Sequence, residues 1–340
     1  MEQKVISLKE ALGQPLSHDL TQIVPETGYK GARFRKGHVI TEEDLPVLRS
    51  MGREHLSVLL LEEDEVHENN AALELAEVVQ GANLSLSGPE EGKCVLSSTV
   101  SGLLLYDPEM IHAINEDPLW IFATLPPKSS VAPGDKVGAF RILPLAVKRE
   151  TVERARRMAT PLEVRPFRPL KISLITTGSE LKKGLVSDAF APKLRRKLEP
   201  FGGILLEQQI VGDAQGEIAG AIRKALEGDP DVVLCTGGMS VDADDRTPGA
   251  IQEVAETVLF RGVPALPGSM LMLGMHGTTA LIGAPACVVH DERTTLDPLL
   301  TQIAAGIYPT EREVRRWGVG GLCAGCSPCT YPRCPFGIRE

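Results

Sequence analysis

Two glycine-containing stretches carry most of the residues able to do chemistry. The first is Thr176-Thr177-Gly178-Ser179-Glu180-Leu181. The second is Cys235-Thr236-Gly237-Gly238-Met239-Ser240-Val241-Asp242-Ala243-Asp244-Asp245-Arg246-Thr247-Pro248. Paired glycines let backbone N–H groups approach an anion, and a helix opening with Thr247 as N-cap and Pro248 as its first residue would add its positive end. Asp242, Asp244 and Asp245 beside an anion need a cation or a basic partner; Mg²⁺ shared between carboxylates and a phosphate is one solution. The same residues also suit an ordinary strand-to-helix turn with capping aspartates. Neither a GxGxxG nor a Walker A pattern is present.

A second cluster closes the chain: Cys323-x2-Cys326-x2-Cys329-x4-Cys334-Pro335. Four closely spaced thiols suit tetrahedral Zn²⁺ or a [4Fe–4S] cluster, although the last gap is one residue longer than in the bacterial ferredoxin run. Unligated redox thiols are the third reading. Cys94, Cys235 and Cys287 lie within apolar runs and need no role beyond packing. His67-Glu68 reads as a surface pair on an amphipathic helix. His276 and His290 read as core or capping histidines that could also reach a pocket. Arg154-Ala155-Arg156-Arg157 reads as a solvated helix face.

These residues need elements to position them. From 170 to 308 the chain has a βαβ rhythm. Strands are expected over 171–176, 204–211, 231–236 and 279–282. Helix faces run through Phe190, Leu194, Leu198 and Phe201, and through Ile218, Ala221, Ile222, Ala225 and Leu226, the latter helix capped by Asp213. A further face runs through Ile251, Val254, Ala255 and Val258, and a last one through Leu296, Leu299, Leu300 and Ile303. The run 231–236 is nearly all apolar, as a strand covered on both faces should be. The alternation predicts an α/β fold with a three-layer αβα, mostly parallel sheet, and ligands at the carboxyl ends of its strands.

Texture divides the chain into four segments. Residues 1–88 mix helix and strand signals, with a capping box at Thr41-Glu42-Glu43-Asp44, a strand from His55, and Val66, Leu73, Ala76 and Val79 at helical spacing. Residues 89–165 are a small β-rich unit with one helix opening at Asp107-Pro108, ending in a linker near Pro161 and Pro166. Residues 166–310 are the α/β domain, and 311–340 a Cys-rich tail with too little apolar content to fold alone.

Composition narrows the classes. The 340 residues are 43% hydrophobic and carry a net charge of −9, with only 4% aromatics. That is the opposite of a nucleic-acid-binding profile. The longest uncharged stretch, 262–290, is broken by Pro264, Pro267, Gly268, Gly274, Gly277, Gly283 and Pro285, so it reads as strands and turns and not as a membrane span. The N-terminal MEQKVISLKEALG lacks an apolar signal core, which predicts a cytoplasmic protein.

The order of the motifs adds a resemblance. Residues 170–308 resemble the molybdopterin-binding domain shared by MoeA and gephyrin-type molybdotransferases and by MogA/MoaB proteins, through TTGSEL (176–181), the VGD turn ending in Asp213, TGGMSVDADDRTPGA (236–250) and LPGS (266–269). Residues 1–60 weakly resemble the start of MoeA proteins. The resemblance implies binding of molybdopterin or its adenylylated form, and insertion of molybdate or tungstate with Mg²⁺. It implies a site built from Thr177, Gly178, Ser179, Glu180, Thr236, Gly237, Gly238, Met239, Ser240, Pro267, Gly268 and Ser269. Asp213 and Asp245 would hold Mg²⁺ or position the pterin and water. It also implies hand-over to a molybdoenzyme or another cofactor-pathway protein, and homo-oligomers. Ser179 stands where the family has an acidic residue, and the helix-start Asn of the MoeA branch is absent from Ser187-Asp188-Ala189-Phe190. Those departures weaken turnover more than binding and leave a non-catalytic carrier or sensor as a rival. A nucleotide pyrophosphatase of the competence-damage type, whose domain shares these motifs, is a further one.

Overall fold

A computed structural model describes the chain except residues 1, 25–27, 186, 240–244, 335 and 338–340, and the side chains of Glu2 and Tyr29. The chain divides into two compact units: Met1–Ser97 with Tyr106–Thr124 and Asp135–Leu162, and Ser98–Leu105 with Leu125–Gly134 and Glu163–Glu340. Residues 89–165, read by texture as one segment, therefore contribute to both. The tail belongs to the second.

In the first unit Glu2–Ser7 pairs antiparallel with His55–Leu60. Thr41 and Asp44 form the expected capping box before the helix Leu45–Ser50. Helix Glu68–Val79 buries Ala71, Ala72, Leu75, Ala76 and Val79, while Leu73 is exposed; the helix starts after Val66, so the buried stripe is shifted from the one expected. Its first residues correct the surface-pair reading: His67 is 2% and Glu68 7% exposed. Residues 149–158, expected to lead into a linker, form a helix that buries Val152 and Ala155 and turns its arginines outward to ion pairs such as Arg156–Glu77 at 2.9 Å.

We number the elements of the second unit's large sheet and the helices packed with it. They are β1 (Lys171–Thr177), α1 (Ser179–Lys182), α2 (Phe190–Leu198), β2 (Ile204–Val211), α3 (Gln215–Leu226), β3 (Val232–Thr236), α4 (Thr247–Val254), β4 (Thr257–Arg261), β5 (Met272–His276), β6 (Thr279–Ala284), α5 (Leu296–Ala304) and α6 (Glu311–Arg315). The strand order is β2-β1-β3-β6-β5-β4. The first four strands are parallel, and β5 and β4 extend the sheet antiparallel.

The period of two along each strand makes the layers. Ile172 and Leu174 of β1, with Val232 and Leu234 of β3, face a core that includes Phe190 and Leu194 of α2 and Leu299 and Ile303 of α5. Ile175, Val233 and Cys235 face the other core, with Ile218 and Ile222 of α3 and Ile251 of α4. The fold is thus a three-layer αβα sheet with a mixed edge. Helix α4 stops at Val254 because Ala255 turns extended (φ −67°, ψ 134°), and Val258, expected on the helix face, lies on the edge strand β4. The tail packs onto this unit: Val314, Trp317 and Phe336 are buried.

The chain leaves β1 for β2 on one side and returns for β3 on the other. The order of strands therefore reverses between β1 and β3, and a crevice opens there at their carboxyl ends. No helix is long and apolar enough to cross a membrane among the described residues.

Candidate functional site

The carboxyl ends of β1 and β3 are tied together. The Thr177 hydroxyl donates to the Thr236 carbonyl at 3.0 Å. Immediately after, Gly237 turns with φ +84° and lies so close to β1 that a Cβ would fall 2.5 Å from Thr177 Oγ1 and 2.6 Å from its carbonyl oxygen. Only glycine fits both the left-handed backbone and the approach. Gly238 (φ +57°) is crowded in the same way by Thr247 Oγ1, at 2.9 Å from such a Cβ. Thr247 is fully buried and locks this turn to α4, its hydroxyl donating to the Gly237 carbonyl at 2.7 Å and its N–H to the Gly238 carbonyl at 3.3 Å. Arg246, not Thr247, occupies the N-cap of α4.

On the other side of the crevice Asp213 does not cap α3, as expected; Ala214 takes that place. Instead one Asp213 oxygen accepts the Ser179 N–H at 3.0 Å and the Ser179 hydroxyl at 2.7 Å. The carboxylate is held by the loop after β1, and its other oxygen makes no hydrogen bond among the described residues.

Asp213, Ala214, Gln215, Gly238, Asp245 and Arg246 line one cavity of about 500 Å³. Asp245 contributes a second carboxylate, whose Oδ2 is buried and has no hydrogen-bond partner among the described residues. A buried acceptor left unpaired costs about 1–3 kcal/mol. Two carboxylates and a turn of left-handed glycines at a helix start can accept a cation together with an anionic group.

The remaining expected residues fall in several places. Gly178 (φ +147°) precedes Ser179 and joins the two sides, its N–H donating to the Val211 carbonyl at 3.1 Å. Glu180 lies on the exposed face of α1. Thr236 is buried in the strand end, and Met239 packs into the sheet core beside Gly283 and Ile251. Ser240, Asp242 and Asp244 lie outside the described residues. Pro267, Gly268 and Ser269 sit before β5, at the same edge of the sheet, but against α5: the Thr295 hydroxyl donates to the Gly268 carbonyl at 2.6 Å and the Thr295 N–H to the Pro267 carbonyl at 3.1 Å. They do not line the Asp213–Asp245 cavity. His276 bonds the Val254 carbonyl through Nδ1 at 2.9 Å, and His290 is exposed; neither lines it. Arg246 and Gln215 are lining residues that the sequence left unmarked, although Arg246 follows Asp245 directly.

The cysteines of the tail do not come together as a metal set. Cys323, Cys326, Cys329 and Cys334 are free thiols, and among the described residues no three or more His, Cys, Asp or Glu side chains are placed to hold a metal. Cys326 is exposed and contacts the Thr330 hydroxyl at 3.7 Å; hydrogen bonds from Thr330 hold its pKa below the usual thiol value. The anchor of the tail is Tyr331. Its ring lies under the Arg293 guanidinium, 5.1 Å from the centroid, and its hydroxyl meets Thr301 at 3.3 Å. Arg293 in turn pairs with Asp297 at 3.1 Å, and the buried Lys197 donates to both Asp297 oxygens at 2.9 and 2.8 Å.

Comparison with known proteins adds to this geometry. Residues 173–303 match the family model described as a probable molybdopterin binding domain, and residues 5–59 a domain of unknown function (DUF8806). A CinA-like protein of Syntrophotalea carbinolica is 37% identical over 78 residues, which cover 23% of this chain and 19% of that one. A molybdopterin molybdenumtransferase of Staphylococcus aureus is 30% identical over 131 residues, covering 36% of this chain and 30% of that one. The matched segments thus span under a third of those curated relatives. Among solved structures, a molybdopterin biosynthesis protein from Mycobacterium abscessus aligns with a TM-score of 0.36 at 21% identity, over 40% of this chain and 95% of that one.

Proposed function

We propose that the crevice between β1 and β3 binds the phosphate or adenylate end of molybdopterin, and that the chain acts in molybdenum or tungsten cofactor biosynthesis. The observation that carries this reading is the buried Asp245 Oδ2, without a hydrogen-bond partner among the described residues, beside the Gly237-Gly238 turn in the cavity that Asp213 also lines. A protein retains such an oxygen at a cost in stability when a ligand supplies its partner. The match of residues 173–303 to a molybdopterin-binding model supports the choice of ligand. Thr177, Gly178, Gly237, Gly238 and the undescribed Ser240 would cradle the anion. Asp213 and Asp245, with the ligand's own phosphate, suit Mg²⁺, which keeps most of its water and needs only one or two carboxylates. Bound there, Mg²⁺ would offset charge developing on a phosphate leaving group.

The reaction in this reading is insertion of molybdate or tungstate into bound pterin, of the MoeA or gephyrin type, before hand-over to a molybdoenzyme or another protein of the pathway. Ser179 favours a second reading. It replaces an acidic residue of the family pattern and engages Asp213 through two hydrogen bonds, which suits a carrier or sensor that binds without turnover. The CinA-like relatives favour a third, nucleotide pyrophosphatase activity. Anaerobic incubation with adenylylated molybdopterin and Mg²⁺, with and without molybdate, separates them. AMP release that depends on molybdate supports insertion, and binding without release supports the carrier. Absence of binding together with hydrolysis of ADP-ribose would replace both with the pyrophosphatase.

A further inference from the structure

The first unit holds a second cavity, of about 270 Å³, to which no role is assigned. That is just below the ~300–1,000 Å³ of pockets that take drug-sized ligands. Its lining includes Glu68, Asn69, Phe34 and the basic residues Arg33, Arg35 and Lys36. Glu68 is 7% exposed, yet its carboxyl makes no hydrogen bond or ion pair among the described residues. Burial raises its pKa; the charge of Arg141 acts to lower it and that of Glu91 to raise it further.

Two glycines leave this carboxyl open. A Cβ on Gly37 (φ +84°) would fall 3.3 Å from Glu68 Oε1, and one on Gly92 (φ +70°) 3.1 Å from Oε2. Each is in the left-handed region, so neither position readily takes a side chain. Asn69 braces the rim by accepting the Gly92 N–H at 2.8 Å, which leaves its amide NH₂ as a donor. Arg35 pairs with Glu91 at 2.9 Å, whereas Arg33 and Lys36 have no ion-pair partner among the described residues.

Burying a carboxyl without a hydrogen bond costs free energy, and here only the field of Arg141 offsets part of it, since no hydrogen bond or ion pair reaches the carboxyl among the described residues. Its two oxygens suit a pair of parallel N–H donors, the geometry of a guanidinium or of a 2-amino-pyrimidinone edge. The free cations at the rim suit an anion on the same molecule. We propose that Glu68 and the Arg33–Lys36 rim form a second ligand site, taking a small molecule that joins an amidine-type N–H pair to an anionic group.

Guanosine monophosphate and free L-arginine are the two probes, titrated separately by calorimetry into the full chain. Inosine monophosphate, which lacks the exocyclic amine, and inorganic phosphate are the comparators. Binding of either probe, weakened at least tenfold by Glu68→Gln and unaffected by Asp245→Ala, supports the site and identifies the source of the N–H pair. For the nucleotide, inosine monophosphate must also bind at least tenfold more weakly. The proposal is overturned if neither probe binds, or if binding survives Glu68→Gln. Loss of nucleotide binding on Asp245→Ala with retention in Glu68→Gln would put the nucleotide in the other unit and overturn it too. Thermal melting guards the variant. Glu68→Gln should melt at or above the wild-type temperature, and a drop of several degrees would show the carboxyl to be a structural group.

Discussion

Ser179 grips Asp213 twice, its backbone N–H and its hydroxyl both donating to the same carboxylate oxygen at 3.0 and 2.7 Å, across a sequence separation of 34 residues. The loop after β1 thereby fixes the carboxylate that opens the loop after β2. Ser179→Ala removes one of the two bonds. It should cost about 0.5–1.5 kcal/mol in denaturant unfolding and weaken ligand binding more than Glu180→Ala does. Equal binding in both variants would count against a positioning role.

Asp245 presents the opposite case. Its Oδ2 is buried without a partner among the described residues, so Asp245→Ala removes an uncompensated group and should leave the melting temperature unchanged or raised, while abolishing pterin binding or metal insertion. A loss of more than about 1 kcal/mol in Asp245→Ala would mean that the carboxylate holds the fold together.

Gly237→Ala should destabilise. The left-handed backbone alone costs about 1–2 kcal/mol, and the added methyl would overlap Thr177 at 2.5 Å. Gly216→Ala, in α3 with nothing within 4 Å, is the control and should stabilise slightly by its helix propensity. Chemical denaturation of the two variants gives opposite signs if the turn is as described.

The buried Lys197–Asp297 pair should behave as a charge that needs its partner. Lys197→Met leaves Asp297 with Arg293 and the Thr294 N–H alone and should cost about 3–5 kcal/mol; the double variant with Asp297→Leu should lose less than the sum. Strict additivity would show that the two do not interact.

Thiol labelling ranks the cysteines. Burial pushes Cys94 up to about 11 and Cys235 up to about 12, whereas Thr330 lowers Cys326. A lowered pKa means more thiolate at a given pH, so between pH 7 and 9 iodoacetamide should modify Cys326 first and leave Cys94 and Cys235 intact in the folded protein. Mass spectrometry of the peptides reads the order. Protection of all four tail cysteines that a chelator removes would instead reveal a metal site that the described thiols do not form.

Much of the sheet domain was legible because its determinants are local. Continuous apolar runs announce strands covered on both faces, and glycines mark turns that only glycine can make. Gly237 and Gly238 could be named on that basis, whereas Thr177 and Asp245 were singled out by the resemblance that the order of the motifs carries. The antiparallel pair β4 and β5 was not legible, since Val258 continues the spacing of α4 and nothing local shows that Ala255 turns extended. Asp213 looked like a helix cap because a cap is the nearest use for it, and its true partner lies far away in sequence. Glu68 was read as a surface residue because charge ordinarily signals exposure. Its surroundings come from segments far away in sequence, among them Gly37 and Gly92, which no spacing rule connects to it.

The most direct test of the central claim is equilibrium binding of adenylylated molybdopterin, under anaerobic conditions, to the wild-type chain and to Asp213→Ala and Asp245→Ala. The account predicts binding by the wild type that is lost in Asp245→Ala and weakened in Asp213→Ala, with both variants folded by circular dichroism. No binding by the wild type, or undiminished binding in both variants, would contradict it.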